Sequence, residues 1–321
     1  MVGASFATAG GALMARIATL TINSAIDVMW EVDELVPIRK LRSGPGISYP
    51  GGGGINVSRV IKILGGDSIA VVTAGWFTGH LLEEMLDALG LERHCIPVKG
   101  RTRLSATIRE SRSGQEFRVT PSGPELNEDE WRAFLDAATG LEADWIVATG
   151  SIARGVPNDF YARIAATAKE RGAKVVLDTS GRPLFEALEA GVYMVKPNLR
   201  ELEHLIGRRI QDEQEQERAC REIIDQGRSE IIALTLGADG ALVISKDACI
   251  RLPTPEVDVQ STVGAGDTFV GALTYALSEG RSLEDAAVLA VAASTATVMT
   301  PGTELCRRED VDRLYAELRQ A

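Results

Sequence analysis

Ser261-Thr262-Val263-Gly264-Ala265-Gly266-Asp267-Thr268 stands directly before an apolar, alanine-rich stretch with helical spacing. Small residues let a backbone come close to a ligand. A turn that feeds a helix N-terminus offers free amides and the positive end of the helix dipole, which together suit an anion. Asp267 then sets a carboxylate among groups that favour negative charge. On these residues alone it is either a working group beside a bound anion or simply a helix cap.

Three further stretches share this character. Pro50-Gly51-Gly52-Gly53-Gly54-Ile55-Asn56-Val57 also opens a helix. Four consecutive glycines are costly in chain entropy. They suit amides that line a polar ligand, with Asn56 one turn inside to bond hydroxyls, or else a flexible hinge. Lys196-Pro197-Asn198-Leu199-Arg200-Glu201 follows a strand, and in open parallel sheets ligands lie beyond the carboxyl ends of strands. Asn198 and Glu201, three residues apart, are expected on one helix face, where they can organise water and Mg²⁺ near phosphates; the alternative is an ordinary helix start. Thr235-Leu236-Gly237-Ala238-Asp239-Gly240 is a strand end and a glycine turn, read as a nucleotide contact or a plain β-turn.

Between these sites, β-rich runs alternate with helical spacing. Strands are expected over residues 17–22, 69–73, 145–149, 174–178, 192–196 and 231–236. Helices are expected over 55–64, closed by Gly65-Gly66, and over 81–89, 159–171, 267–278 and 283–298. The alternation predicts an α/β fold with a doubly wound, mostly parallel sheet flanked by helices. Residues 28–47 and 104–119 break the pattern. Residues 103–110 and 115–119, joined around Ser113-Gly114, read as a hairpin. Segments of about 28–47 and 103–120 are therefore expected to form a small β-sheet lid, with two ordinary surface excursions as the alternative. The charge run 212–218 reads as the solvated face of a helix.

The chain has 321 residues, enough to bury a core of its own without disulfides or metal. Its formal net charge of −11 repels phosphate backbones, so nucleic acid is not an expected partner. Arg outnumbers Lys by 27 to 7, a skew read as codon bias. Cys95, Cys220, Cys249 and Cys306 are far apart and only three His are present. A zinc site or disulfide framework is not expected, and four reduced thiols suit a cytoplasmic protein. No apolar run is long enough to cross a membrane. Residues 1–13 lack a basic start and read as a disordered extension rather than a signal peptide, with Met14 as another start. The P-loop, GxGxxG, GxSxG and HExxH patterns are absent.

Taken together, the glycine run 51–54 with Asn56, the Lys196-Pro-Asn198-x-x-Glu201 segment and the Gly264-Ala-Gly-Asp267 turn, in this order, resemble the PfkB (ribokinase-like) family of sugar kinases over about residues 15–318. Within it, the chain is most similar to the bacterial minor 6-phosphofructokinase branch. The start Leu20-Thr-Ile-Asn-Ser-Ala-Ile-Asp27, the all-glycine run and Gly123-Pro-Glu-Leu-Asn-Glu-Asp-Glu130 carry that likeness. Two positions depart from the branch. Ala153 replaces a proline in Gly150-Ser-Ile-Ala-Arg154-Gly155, and Glu304 stands where the branch can carry Arg beside a monovalent-cation loop.

The resemblance implies transfer of the ATP γ-phosphoryl to the C1 hydroxyl of fructose 6-phosphate in glycolysis. Tagatose-6-phosphate kinase or 1-phosphofructokinase activity is the alternative, and a non-catalytic sugar-phosphate- or nucleotide-binding regulator the remote one. It implies Asp267 as general base, and the amides of Gly264, Ala265 and Gly266 as the anion hole. Asp27, Gly51, Gly52 and Asn56 would bind the sugar, with Lys40, Arg103, Ser151 and Arg154 as further substrate contacts. Lys196, Asn198, Glu201, Thr235, Gly237 and Gly240 would bind ATP, Glu201 holding Mg²⁺ through water. Ser261, Val263 and Gly302 would hold a monovalent cation, K⁺ being the candidate. A homodimer through the lid is the implied assembly.

Overall fold

The structure, a computed structural model, describes residues 16–320; the expectations for residues 1–13 and Met14 lie outside them. The strands that organise it are the continuous apolar runs. β1 (Ile17–Thr21) and β8 (Trp145–Thr149) are buried at every position, as strands covered on both faces must be. The large sheet has the order β13-β12-β11-β10-β9-β8-β1-β4-β5. It comprises, besides those two, β4 (Ile69–Ala74), β5 (Glu92–Pro97), β9 (Lys174–Asp178), β10 (Val192–Val195), β11 (Ser229–Thr235), β12 (Ala241–Ser245) and β13 (Cys249–Leu252). Pairing is parallel from β5 to β11 and antiparallel for the last two strands. The expected mostly parallel, doubly wound sheet is what forms. β5, β12 and β13 were not expected. The two edge strands, β5 and β13, are partly polar and carry a weak apolar signal, and the short β12–β13 pair follows a glycine turn.

Helices cover both faces. On one, α1 (Gly53–Ile63), α8 (Ala265–Ser278), α9 (Leu283–Val298) and α10 (Arg308–Leu318) pack through Val57, Ile61, Phe269, Leu273 and a series of buried alanines of α9. A helix apolar all round belongs inside, and the alanines let α8 and α9 approach closely. On the other face, α3 (Glu128–Gly140), α4 (Phe160–Glu170), α5 (Arg182–Ala190), α6 (Leu199–Ile206) and α7 (Glu213–Asp225) contribute Phe134, Phe160, Tyr161, Leu184, Leu202 and Ile223. The charge run lies on α7, as expected. α2 (Trp76–Ala88) starts five residues before its expected beginning at 81. The buried position of this first turn is Gly79, against the Ala74 backbone, while Trp76 and Phe77 are exposed, so no buried apolar side chain marks the start.

The second sheet has the order β3-β2-β6-β7, from β2 (Ala25–Val32), β3 (Ile47–Gly51), β6 (Arg103–Glu110) and β7 (Glu116–Val119). The expected hairpin is the β6–β7 pair. β2 begins at Ala25 rather than 28, which puts Asp27 on the projecting sheet itself, and 33–46 carries no strand. Ile26 and Val28 of β2 pack on Leu82 and Met85 of α2, anchoring the small sheet beside the carboxyl ends of the large one.

Candidate active site

After β1 the chain winds outward in both directions: β4 and β8 are its two neighbours. At such a switch point a crevice opens beyond the strand ends. Five strand ends bring residues there: Thr21, Thr149, Asp178, Lys196 just past β10, and Thr235. Helix α8 points its N-terminus at them. Its N-cap is Gly264, left-handed at φ 75°, and Thr268 N bonds back to Gly264 O at 2.8 Å. That leaves first-turn amides unpaired within the helix. Asp267 does not cap. Its Oδ2 instead accepts from Asn56 Nδ2 at 2.9 Å.

The glycine run explains how α1 comes so close. A Cβ on Gly53 would overlap Thr149 Oγ1 and lie 3.0 Å from Asp267 Oδ1; one on Gly54 would lie 2.5 Å from Leu20 O. Gly52 has φ 111°, a conformation that side chains rarely adopt, and a Cβ on Gly51 would overlap the Asp27 carboxylate. The run is thus a close-packed junction rather than a hinge. Protein crowds the Asp267 carboxyl, and loss of hydration pushes it up to about 6. The nearby Asp178 charge adds to this, the Asn56 bond and Lys196 oppose it, and Asp27 adds a little.

Lys196, buried, pairs with Asp178 at 3.1 Å, and its Nζ lies alongside Gly266. Burial alone would lower its pKa, but the charge and hydrogen bond of Asp178 outweigh that and raise it. Asn198 and Glu201 do not share a helix face. Asn198 is the N-cap of α6: its Oδ1 accepts from Glu201 N and its own N donates to Glu201 Oε2, both at 2.9 Å. The reciprocal capping box fixes the Glu201 carboxyl beside the crevice, and burial raises its pKa. A concavity of about 280 Å³ opens here between Gly181, Leu184, Asn198, Glu201 and His204. Thr235 N donates to Pro197 O at 3.0 Å, tying β11 to this segment. Gly237, at φ 65°, has open space around it, whereas a Cβ on Gly240 would overlap Leu252 O. Gly240 is therefore required by the β12–β13 backbone, not by a ligand.

On the lid side, Asp27 lies between Tyr49 of β3 and Ser105 of β6. Burial raises its pKa, while a bond from Ser105 and the charges of Arg59, Arg103 and Arg118 oppose that. Arg103 donates to Asn23 O and Pro121 O, each at 3.0 Å, so it braces the base of the lid as well as facing Asp27. Asn23 in turn donates to Ser122 O and Ser151 Oγ, which places Ser151 at the same corner. Arg154 is exposed, and its backbone O accepts from Leu126 N. Lys40 is exposed in the strand-free stretch 33–46; among the described residues no contact brings it to Asp27. The expected cation ligands are near one another in the chain path, since Gln260 N bonds Val298 O just before the turn that carries Gly302. The Ser261 hydroxyl donates to Glu116 of β7 at 3.2 Å and accepts from Val263 N at 3.3 Å, so its oxygen keeps one lone pair for a cation.

Asp178, Arg59, Asn23, Thr149 and Glu116 were not anticipated. Asp178 and Thr149 end predicted strands, so the strand-end rule that selected Lys196 also reaches them. Glu116 and Asn23 matter through contacts distant in sequence, whereas Arg59 bonds Asn56 one helical turn away, a spacing the i,i+3 rule could have found. Among the described residues, no cluster of three or more His, Cys, Asp or Glu is arranged to hold a metal, so a divalent ion here would take most of its ligands from water and a phosphorylated ligand.

A carboxylate of raised proton affinity, an amide-lined helix start and a buried lysine thus meet at one crevice. The ATP-dependent 6-phosphofructokinase isozyme 2 of Mycobacterium tuberculosis is 40% identical over 302 residues, covering 94% of this chain and 89% of that one. The Escherichia coli protein of the same name is 36% identical over 307 residues, covering 95% and 99%. The solved structure of E. coli phosphofructokinase-2 with potassium superposes with a TM-score of 0.92 at 35% identity over 95% of this chain and 100% of that one; its complex with fructose-6-phosphate gives 0.91 at 34%, with the same coverage. An Arabidopsis thaliana ribokinase shares the fold at a TM-score of 0.75 and 21% identity, over 94% and 99% of the two chains. Residues 25–310 match the pattern described as pfkB family carbohydrate kinase, and the chain, with this site and these relatives, belongs to that family.

Proposed function

We propose that this kinase transfers the γ-phosphoryl of ATP to the C1 hydroxyl of fructose 6-phosphate, giving fructose 1,6-bisphosphate and ADP. The observation that carries the reaction type is Asp267: a carboxylate raised to about 6 at the amide-lined start of α8, bonded through Oδ2 and, among the described residues, with no hydrogen bond at Oδ1. The choice of sugar is supported by the names of the 40% and 36% identical relatives.

Asp267 Oδ1 accepts the C1 hydroxyl proton as that oxygen attacks the γ-phosphorus and the bond to the ADP oxygen breaks. A base must be mostly deprotonated at working pH yet basic enough to take a proton; a value near 6 meets both needs. The amides of Gly264, Ala265 and Gly266 face the migrating phosphoryl. Lys196 lies alongside Gly266 and neutralises phosphate charge, while Asp178 keeps it charged and aimed. Asn198, Thr235 and Gly237 lie along the nucleotide path. Glu201 and Asp178 suit Mg²⁺ bound through water, an ion that supplies charge neutralisation on the phosphates. For K⁺, Ser261, Val263 and Gly302 of the 260–263 and 298–302 turns are the candidate ligands, through backbone or hydroxyl oxygens, and the E. coli relative has been solved with potassium. For the sugar, Asp27, Gly52 and Asn56 face the ring hydroxyls, and Arg103 with Ser151 forms the polar corner for the 6-phosphate.

Assembly as a homodimer through the lid is supported by its outer face. Trp30, Leu104, Phe117 and Val119 are all exposed on that one face of the sheet, and exposed apolar patches mark interaction surfaces. Sedimentation equilibrium at micromolar concentration is expected to give twice the chain mass, and a monomer would remove this assembly.

Steady-state kcat/KM for fructose 6-phosphate, tagatose 6-phosphate, fructose 1-phosphate, fructose and ribose tests the substrate. Fructose 6-phosphate is expected to lead by about ten-fold or more, roughly 1.4 kcal/mol of discrimination. Another sugar phosphate in the lead would keep the chemistry and overturn the substrate. In Asp267→Asn, turnover is expected to fall to background while Mg-ATP still binds; retained turnover would remove Asp267 as base. Arg103→Ala is expected to raise the KM for the sugar phosphate by roughly ten-fold or more and that for ATP little. Equal changes in both would make Arg103 a brace of the lid only.

A further inference from the structure

Arg59 is on α1, one turn after Asn56, and only 8% exposed. Burying a guanidinium is costly unless its donors are met. Its Nη1 donates to Asn56 Oδ1 at 3.1 Å and to Pro50 O at 3.4 Å; its Nη2 donates to Thr303 O at 3.5 Å. The guanidinium also lies 4.9 Å from the centre of the Tyr49 ring. None of these partners is a carboxylate, so Arg59 makes no direct ion pair with Asp267, and its charge reaches Asp27 and Asp267 only through space.

What it does is choose the orientation of an amide. An asparagine side chain can face either way, and Arg is a donor only. Arg59 therefore admits only Oδ1 of Asn56, which turns Nδ2 toward Asp267 Oδ2, where it donates at 2.9 Å. The flipped amide would set NH₂ against guanidinium and carbonyl against carboxylate, two repulsive contacts in a poorly hydrated place. We propose that Arg59 is a positioning residue for phosphoryl transfer: through Asn56 it holds Asp267 by Oδ2 and leaves Oδ1 for the attacking hydroxyl, while binding that arrangement to the lid strand at Pro50 and to the turn at Thr303. This rests on Asp267 being the base.

A double-mutant cycle tests it, with kcat, both KM values, Mg-ATP affinity by calorimetry and thermal midpoints measured for each variant. Arg59→Met keeps the stem and removes the donors. It is expected to lower kcat by roughly 10- to 100-fold, the size of a small misplacement of a reacting group, with Mg-ATP affinity changed less than about three-fold. Arg59→Lys, which keeps charge and a donor, is expected to recover part of that loss. In an Asn56→Ala background, Arg59→Met is expected to change kcat less than about two-fold, because the intermediary is gone. Unchanged kcat in Arg59→Met, or losses that multiply between the two sites, would overturn the proposal. Should Arg59→Met not fold, the cycle of Arg59→Lys with Asn56→Ala carries the same decision: a kcat loss in Arg59→Lys must disappear in the Asn56→Ala background. Failure of the parent reading shows separately, as turnover retained in Asp267→Asn.

Discussion

The hydrogen bond between Asn56 and Asp267, 211 residues apart in sequence, joins the glycine run before α1 to the glycine turn before α8. Asn56 is in the first turns of α1 and Asp267 in the first turn of α8. For the bond to form, both helices must begin at the same point above the strand ends, and their backbones must pass closer than side chains allow. Gly53 and Gly54 meet that requirement directly, since a Cβ on either would run into Thr149 or the β1 backbone. The arrangement of helices on one face of the sheet, α1 beside α8 with α9 behind, follows from that meeting. Its buried alanines and valines then hold it in place.

The same point gathers charge. Asp267, Asp178 and Asp27 are three carboxylates near one crevice, against the cations Lys196, Arg59 and Arg103. Only Lys196 and Asp178 form a direct pair. The others influence one another through space and through neutral intermediaries such as Asn56. This arrangement raises the proton affinity of both Asp267 and Asp27. Asp267 is held high by burial and by Asp178, while remaining partly restrained by Asn56 and Lys196. A fully paired aspartate would be a poor base, and an unpaired one would be poorly oriented. The lid closes the far side, with Glu116 of β7 bonded to Ser261 just before the α8 turn.

Much of this was legible in the sequence where a local rule applied. The central strands were evident because a strand buried on both faces reads as an unbroken apolar run, and 145–149 and 174–178 match to the residue. The glycine turns were evident because few other structures use such runs. Partly polar edges such as Glu92–Pro97 send no comparable signal. Asn198 and Glu201 were recognised as a pair but assigned the wrong geometry: a residue at the N-cap is outside the helix, so three-residue spacing there makes a capping box rather than a shared face. Gly240 was grouped with the nucleotide turn although the approach of Leu252 demands it. Glu116 acquires its role from Ser261, a partner that only tertiary folding supplies; Arg59 is one helical turn from Asn56, so the i,i+3 rule reaches that pair, but its burial and its bond to Thr303 come only from the fold.

The central claim is that the frame around Asp267 raises its proton affinity without releasing it. The most direct measurement is the carboxyl ¹³C titration of Asp267 in the ligand-free protein, assigned by difference against Asp267→Asn. The midpoint is expected near 6, well above the roughly 3.9 of an unperturbed aspartate. A midpoint at or below about 4 would mean that hydrogen bonds and cations dominate burial, and would contradict the account of how this carboxylate serves as a base.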